Sequence, residues 1–366
     1  MMNGTQMLAA EPIPTFPRAR TGRANAYAEI DETTALRRKL APLRQYLDRP
    51  GVIEVCVNKP GEVWVETFEG WKVFADDAIT FAGMTELATA VATYTVQGTG
   101  VMAPLLSASL PSEERIQILQ PPATPSDYVA VSLRKPMDSV MSLSDLEGSG
   151  LFMHAQNEHA RRSADDERLL QLKEDGRLAE FLRQAVLARK TIVLAGATGS
   201  GKTTMMKALA AEIPANERLI TIEDALELKL PKHPNKVNLL YSKGRQNAAK
   251  VTADQLLEAC MRLRPDRVLL AEIRGEEAFS FLDGAASGHP GSITTVHAGS
   301  CDEAFERIAL LTRKSGAGGG LSMPEIKQLA YSVIDVVVHF ARVGANRKFA
   351  VTGVHYAPKG LAHGGA

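Results

Sequence analysis

The sequence has few cysteines and no long hydrophobic run. Its 366 residues include only Cys56, Cys260 and Cys301, which stand far apart and form no C-x-x-C pair. This excludes a disulfide framework and a zinc site readable from sequence, and it fits a reducing compartment. No stretch approaches the ~18 apolar residues of a membrane-spanning helix. The N-terminal arginines are followed by no apolar segment, so no secretory signal is predicted and we expect a cytosolic protein.

Neither sign of charge is in excess, and aromatic residues are scarce. Lysine and arginine total 42, aspartate and glutamate total 42, and aromatic residues make up 5%. Non-specific nucleic-acid binders usually combine a basic groove with aromatic side chains on which bases stack. The composition therefore argues against a helicase or DNA motor, and we expect no stable direct nucleic-acid binding. A local basic pore would not show in the net charge.

The clearest motif is a glycine-rich loop between a predicted strand and a predicted helix. Residues 196–203 read GATGSGKT, which is the G-x-x-x-x-G-K-[ST] phosphate loop. Residues 191–195 are apolar and β-branched, and residues 204–211 are strong helix formers. In such a loop Lys202 reaches the β- and γ-phosphates and the Thr203 hydroxyl holds Mg²⁺. The predicted nucleotide-binding residues are Gly196, Thr198, Gly199, Ser200, Gly201, Lys202, Thr203 and Thr204.

Carboxylates end two later predicted strands. Glu223 and Asp224 follow the first strand, and Glu272 ends the second. Ligands of open α/β sheets lie at the carboxyl ends of the strands. A P-loop hydrolase needs a carboxylate near Mg²⁺ and a group that orients the attacking water. We predict Glu272 for the water and Glu223 or Asp224 for the metal. Ala271 stands where a metal-binding aspartate is usual, so the metal also depends on Thr203 and water.

A histidine and an arginine complete the predicted site. His297 follows a predicted strand, where it can hydrogen-bond the γ-phosphate. Arginines speed hydrolysis by neutralising the charge that develops on the γ-phosphate. The residues alone do not select the arginine. The candidates are Arg115, Arg134, Arg262, Arg264, Arg267 and Arg274.

The order of predicted elements divides the chain. Residues 1–31 lack periodicity and are predicted to be a flexible tail, and residues 32–137 form a predicted α+β domain. Residues 138–165 are a predicted linker. Residues 166–366 alternate strands with helices, which predicts a mostly parallel sheet covered by helices. The predicted fold class is α/β, with a P-loop NTPase C-terminal domain and a smaller N-terminal domain.

Four segments resemble, in order, the nucleotide motifs of the secretion ATPase superfamily. These segments are GATGSGKTT (196–204), ITIEDALEL (220–228), RPDRVLLAEIRGEEA (264–278) and GHPGSITTVHAGS (288–300). They match its Walker A motif, Asp box, Walker B motif and His box. In the first domain, further segments resemble the ATPases of type IV secretion systems, the VirB eleventh-component branch. These are EVCVNKPGEVWVE (54–66), RIQILQPP (115–122) and VSLRKP (131–136).

The resemblance implies roles for individual residues. It implies a RecA-like C-terminal domain with ATP and Mg²⁺ bound between the domains of a homohexameric ring. Lys202 and Thr203 then bind phosphate and Mg²⁺, and Glu223 supports the metal and the water. Glu272 matches the catalytic glutamate, and His297 matches the His-box residue.

Arg115 and Arg134 match first-domain arginines that reach the nucleotide phosphates. The resemblance also implies peripheral attachment to the cytoplasmic face of the bacterial inner membrane. Partners would be other secretion ATPases and inner-membrane components, in pilus assembly and in the transfer of DNA or effector proteins.

Other interpretations stay open. A pilus retraction ATPase shares all four motifs, whereas the scattered cysteines exclude the type II assembly ATPases that carry a tetracysteine zinc module. A nucleotide-gated docking scaffold that hydrolyses little is disfavoured by the intact Glu272 and His297. The length of the linker permits, but does not require, a C-terminal domain swapped onto a neighbouring subunit.

Overall fold

The structure, a computed structural model, describes residues 32–136, 142–153, 163–242, 249–344 and 348–358. The predicted tail, residues 1–31, lies outside the described residues, and so do parts of the predicted linker.

The N-terminal sheet is antiparallel and carries two helices. The helices are α1 (Glu32–Leu47) and α2 (Phe81–Thr95). The strands are β1 (Val52–Val57), β2 (Gly61–Thr67), β3 (Gly70–Asp76), β4 (Leu105–Ser109), β5 (Arg115–Leu119) and β6 (Ala130–Arg134). They lie in the order β3-β2-β1-β6-β5-β4. Leu36 and Leu43 of α1 are buried in one hydrophobic cluster with Leu87 of α2 and apolar residues of the sheet.

Three helices connect the N-terminal sheet to the phosphate-loop strand. They are α3 (Leu143–Gly148), α4 (Ala164–Glu174) and α5 (Leu178–Leu187). Helix α3 lies within the predicted linker and begins at Ser142, which forms a capping box with Asp145. No side chain of α3 is buried. Because its apolar residues do not pack into a core, their spacing gave no signal of a helix.

The C-terminal sheet is mostly parallel, as predicted. Its strands are β7 (Ile192–Gly196), β8 (Leu219–Glu223), β9 (Lys236–Leu240), β10 (Arg267–Ile273), β11 (Ile293–Val296), β12 (Val336–Val343) and β13 (Lys348–Tyr356). The order is β13-β12-β7-β11-β10-β8-β9, and all described pairs are parallel except β12 with β13. The helices are α6 (Lys202–Ala210), α7 (Ala253–Cys260), α8 (Glu277–Ala286), α9 (Cys301–Lys314) and α10 (Met323–Val333).

Both faces of the C-terminal sheet are buried. Along β7, Val193 and Ala195 belong to the hydrophobic cluster that includes α7–α10, whereas Ile192 and Leu194 belong to the cluster that includes α4–α6. Alternate side chains of a strand point to opposite faces, so a strand covered on both faces needs apolar residues throughout. This explains why β7 is an unbroken apolar run. Strands β4 and β9 and helices α9 and α10 go beyond the elements predicted from the sequence.

Arg218 is fully buried where the two sheets meet. Its Nη1 donates hydrogen bonds to Oδ1 of Asn58 (2.7 Å) and Oδ1 of Asn235 (2.5 Å), and its Nε donates to the carbonyl of Leu263 (2.9 Å). The guanidinium also lies over the ring of Trp71, 5.4 Å from its centroid. A buried charge is costly unless hydrogen bonds compensate it. Arg218 therefore ties β8 to Leu263 through Nε and to the N-terminal sheet through Nη1, whereas its buried Nη2 has no hydrogen-bond partner among the described residues.

A second arginine joins the same two regions. Arg264 donates from Nε and Nη2 to the two carboxylate oxygens of Glu66 on β2, at 2.9 and 2.6 Å. The Leu240 amide of β9 donates to the Ala123 carbonyl (2.8 Å). The paired geometry of an arginine and a carboxylate fixes direction as well as distance. These contacts set how the N-terminal sheet lies against the C-terminal sheet.

We predict that Arg218→Leu lowers the free energy of unfolding by about 2–4 kcal/mol, because two buried amide oxygens lose a charged donor. Urea denaturation of the full chain measures the change. Arg183→Leu is the matched control, since Arg183 forms surface ion pairs on α5 and its loss should cost under ~1 kcal/mol. Equal losses in the two variants would contradict the role given to Arg218.

Asp166 of α4 connects β13 with α4 and with Lys190, which follows α5. Lys190 Nζ and Tyr356 Oη each donate to Asp166 Oδ1 at 2.7 Å. Burial alone would raise the pKa of Asp166, but the hydrogen bonds from Lys190, Tyr356 and Ser163 outweigh it and lower the pKa to about 2. The folded protein thus favours the ionised form more than the unfolded chain does.

Because this folded-state pKa is depressed, the Asp166 contribution to stability is present above about pH 4 and is lost as the pH falls toward 2. We predict that Asp166→Asn is less stable than the wild type at pH 7 and that the gap narrows as the pH falls from 4 toward 2. Urea midpoints across this range test it, with the exposed Asp77→Asn as control. A gap that widens toward low pH would contradict the assignment.

Candidate active site

The carboxyl ends of four parallel strands meet around one cavity. The phosphate loop follows β7, Glu223 ends β8, Glu272 lies near the end of β10, and His297 follows β11. The cavity has a volume of about 1090 Å³, and all four groups line it. The structure therefore brings together the predicted phosphate loop, both predicted carboxylates and the predicted histidine.

Gly196 and Gly201 of the loop cannot readily be replaced by other residues, for two different reasons. A Cβ atom on Gly196 would lie 2.6 Å from the Phe340 carbonyl oxygen and 2.7 Å from Ser200 Oγ, so no side chain fits there. Gly201 has a φ of 92° at the residue before α6, a left-handed conformation that other residues rarely adopt. These positions let the chain turn from β7 into α6 and expose the first amides of the helix.

Lys202 and Ser200 direct polar groups into the loop. Lys202 is buried, and its Nζ donates to the carbonyls of Gly196 (2.7 Å) and Ala197 (2.9 Å). Burial lowers the pKa of Lys202, and the nearby Glu272 carboxylate opposes this shift. Ser200 Oγ is buried without a hydrogen-bond partner among the described residues. An anion with several acceptor oxygens satisfies both groups, so the loop fits a nucleotide polyphosphate.

Glu272 lies between a histidine and an arginine. Its Oε1 is 2.9 Å from His297 Nε2, and its Oε2 accepts a hydrogen bond from Arg274 Nη2 at 2.5 Å. Arg274 Nη1 also donates to Asp224 Oδ2 at 3.1 Å. The hydrogen bond to Glu272 raises the pKa of Arg274 above its usual value. His297 Nδ1 lies 3.2 Å from the Gly196 carbonyl, which connects Glu272 to the phosphate loop.

Glu223 is buried, and both of its carboxylate oxygens accept hydrogen bonds. Thr221 Oγ1 donates to Oε1 at 2.8 Å, and the amides of Glu227 and Leu228 donate to Oε2 at 2.9 Å. These contacts fold the segment after β8 back onto its last residue. Glu223 therefore fixes the segment that carries Asp224.

The six candidate arginines differ in their distance from the cavity and in their partners. Arg274 lines the cavity, and the other five do not. Arg267 is buried, with Nε and Nη2 donating to Glu217 at 2.7 and 2.8 Å, and Arg264 pairs with Glu66. Arg115 and Arg134 are exposed and face each other across β5 and β6 of the N-terminal sheet. One chain alone does not bring them to the phosphate loop.

The C-terminal hairpin supplies a wall of the cavity that was not predicted. Phe340 of β12 pairs with Gly196 of β7, and Phe349 and Val351 of β13 line the same cavity. The alternation of strands and helices predicted for residues 166–366 includes no motif that places β12 beside β7. Among the described residues, no three His, Cys, Asp or Glu side chains are grouped as metal ligands. No helix in the described ranges is long and apolar enough to span a membrane.

A phosphate loop between a parallel strand and a helix, facing a strand-end glutamate, defines a P-loop nucleotide hydrolase. Comparison with known proteins gives the family. The model of the family described as "Type II/IV secretion system protein" matches residues 37–350. The chain belongs to this family and is a secretion ATPase.

Several relatives are similar along most of their length. The type IV secretion system protein VirB11 of Brucella suis is 46% identical over 315 residues, which cover 85% of this chain and 87% of the relative. VirB11 of Bartonella quintana is 41% identical, covering 91% and 96%. PtlH of Bordetella pertussis is 42% identical, covering 84% and 92%. The crystal structure of the Brucella suis VirB11 ATPase with sulphate is 44% identical, with a TM-score of 0.85 over 89% of this chain and 96% of that chain. The predicted fold class is confirmed.

We predict that Glu272→Gln lowers kcat for ATP by about 10²–10³-fold while ADP binds within about threefold of wild type, since the variant loses the group that orients water and keeps the phosphate loop. Steady-state hydrolysis and calorimetric ADP titration measure the two effects. Glu276→Gln, an exposed glutamate four residues away, should hydrolyse ATP normally. Full activity in Glu272→Gln would remove this residue from the reaction.

Proposed function

We propose that this protein powers a type IV secretion system by hydrolysing ATP in a homohexameric ring. The carrying observation is that Glu272, Lys202 and the unsatisfied Ser200 hydroxyl line one cavity, in a chain similar to type IV secretion proteins over 85–91% of its length. The first-domain segments that resemble the type IV branch favour this function over that of a pilus retraction ATPase. The driven process would be pilus assembly and the transfer of DNA or effector proteins.

Each residue of the cavity has a task in the proposed reaction. Lys202 exchanges its contacts with the Gly196 and Ala197 carbonyls for β- and γ-phosphate oxygens, together with amides of the loop from Thr198 to Thr204. Glu272 accepts a hydrogen bond from the attacking water and aligns it with the γ-phosphorus. His297, whose Nε2 lies 2.9 Å from Glu272 Oε1, faces the γ-phosphate.

The residues of the cavity fit a magnesium ion with few protein ligands. Mg²⁺ commonly takes one or two protein oxygens together with phosphate oxygens, and when bound it neutralises phosphate charge. Thr203, exposed at the start of α6, would hold it through its hydroxyl. Glu223 would support it through water, because its two oxygens already accept three hydrogen bonds.

The positions of Arg274, Arg115 and Arg134 support the proposal of a ring. Arg274 is held by Glu272 and Asp224, so its charge is already balanced within the chain. Arg115 and Arg134 lie exposed on the N-terminal sheet, and we propose that they reach the phosphates bound by another subunit of the hexamer. As a separate proposal, the protein attaches peripherally to the cytoplasmic face of the inner membrane, through other secretion components.

The test is hydrolysis of ATP together with mass in solution, for wild type and Lys202→Ala. We predict a six-subunit particle for both proteins and loss of hydrolysis in the variant, since the variant lacks the ammonium that binds the phosphates. A monomer that hydrolyses normally despite the substitution would contradict both the site and the ring. The docking scaffold would be favoured by two results together: the purified wild-type protein forms a ring but does not hydrolyse ATP, and cells that carry Lys202→Ala still secrete.

A further inference from the structure

The cavity has two chemically different ends. We call the phosphate loop, Glu272 and His297 the polar end, and the apolar lining residues the apolar end: Phe340, Phe349 and Val351 of the C-terminal hairpin and Met205 of α6. The two groups adjoin where Phe340 pairs with Gly196. The phosphates are assigned to the loop, so the apolar residues have no task in the reaction described above.

Phe349 is the prominent residue of this apolar end. It lies on β13 opposite Arg342 of β12, and the Arg342 guanidinium carbon lies 4.7 Å from its ring centroid. Arg342 Nη2 in turn lies 3.7 Å from the position that a Cβ on Gly199 would take. The arginine therefore sits beside both the phosphate loop and one face of the ring.

The remaining surface of Phe349 is open. Its side chain is 49% exposed although it lines the cavity, whereas Phe340 two strand positions inward is 5% exposed. A contiguous apolar surface within a cavity is typical of a ligand-binding site, whereas a single exposed aromatic residue such as Phe68 is not. The neighbouring apolar residues, Val351 and Met205, continue this surface into the cavity.

We infer that the C-terminal hairpin binds the base of the nucleotide, with Phe349 stacked on the base and Arg342 covering the opposite face of its ring. This inference rests on the proposed function, because the phosphates must lie in the loop for the base to lie here. A flat, weakly polar heterocycle matches the apolar end, as the polyphosphate matches the polar end. Stacking accepts any large base, since every base has a π-face.

The arrangement also explains the position of Arg342. A guanidinium over an aromatic ring is attracted by the ring quadrupole and holds the ring in place. The ring is thereby oriented before a nucleotide enters, which lowers the conformational entropy lost on binding. The hairpin contributes to affinity for the nucleotide and leaves the alignment of water to Glu272.

The experiment compares a ligand that has a base with one that lacks it. ADP and inorganic tripolyphosphate are titrated calorimetrically, with Mg²⁺, into the full-length wild type, Phe349→Ala and Phe349→Trp. We expect Phe349→Ala to weaken ADP binding about tenfold or more and to leave tripolyphosphate binding unchanged, because only the base loses its stacking partner. We expect Phe349→Trp to restore ADP binding, with its fluorescence quenched by ADP and not by tripolyphosphate.

Hydrolysis gives a second readout. We expect KM for ATP to rise in Phe349→Ala with kcat nearly unchanged, since the base contacts are the same in ground and transition states. Phe68→Ala is the matched control, because Phe68 is an 85% exposed phenylalanine at the turn between β2 and β3, away from the cavity.

Three results would contradict the inferred base-binding site or the proposed function. Wild-type affinity for ADP in Phe349→Ala would place the base elsewhere. Equal weakening of ADP and tripolyphosphate would mean that the hairpin acts only by shaping the phosphate loop. A wild-type protein that binds neither ligand would overturn the proposed function itself, a failure distinct from the other two.

Discussion

Four parallel strands, β7, β11, β10 and β8, lie side by side, and the positions of the groups that line the cavity follow from this arrangement. Parallel strands end at one edge of a sheet, so Gly196 and His297 meet although 101 residues separate them in sequence. Both faces of these strands are covered, so their middle positions carry apolar residues or threonines, all uncharged. The carboxylates and the phosphate loop stand at the carboxyl ends, where they line one cavity.

The charges at this edge compensate one another within the chain. Arg274 is bound to Glu272 and Asp224, and Glu272 is also in contact with His297. Paired charges of this kind hold side chains in one geometry at little net gain in stability. Lys202, which contacts only carbonyls, remains the cation that can turn toward phosphate. Arg274 is thus committed to two carboxylates, whereas the Lys202 ammonium is hydrogen-bonded to neutral carbonyls and is suited to bind a polyanion.

Local motifs and long-range packing differ in how well the sequence reveals them. The phosphate loop, Glu272 and His297 could be predicted because each stands in a short motif at the end of an apolar strand. The arginines could not be sorted, since Arg264, Arg267 and Arg274 lie within one motif, yet the first two stand at the amino end of β10 and Arg274 at its carboxyl end. The position of Phe349 at the cavity could not be predicted from the sequence, because it depends on β13 pairing with β12 and on β12 pairing with β7.

Two arginine contacts between the sheets are made at the amino ends of β8 and β10, opposite to the ends that carry the carboxylates. Arg218 immediately precedes β8, which ends at Glu223, and Arg264 stands shortly before β10, which leads to Glu272. At ~3.3 Å per residue these strands span roughly 13–17 Å from their first residue to the carboxylate. Hydrogen-bonded strands within a packed sheet resist stretching and bending. A displacement of the N-terminal sheet would therefore be transmitted along both strands to Glu223 and Glu272 together.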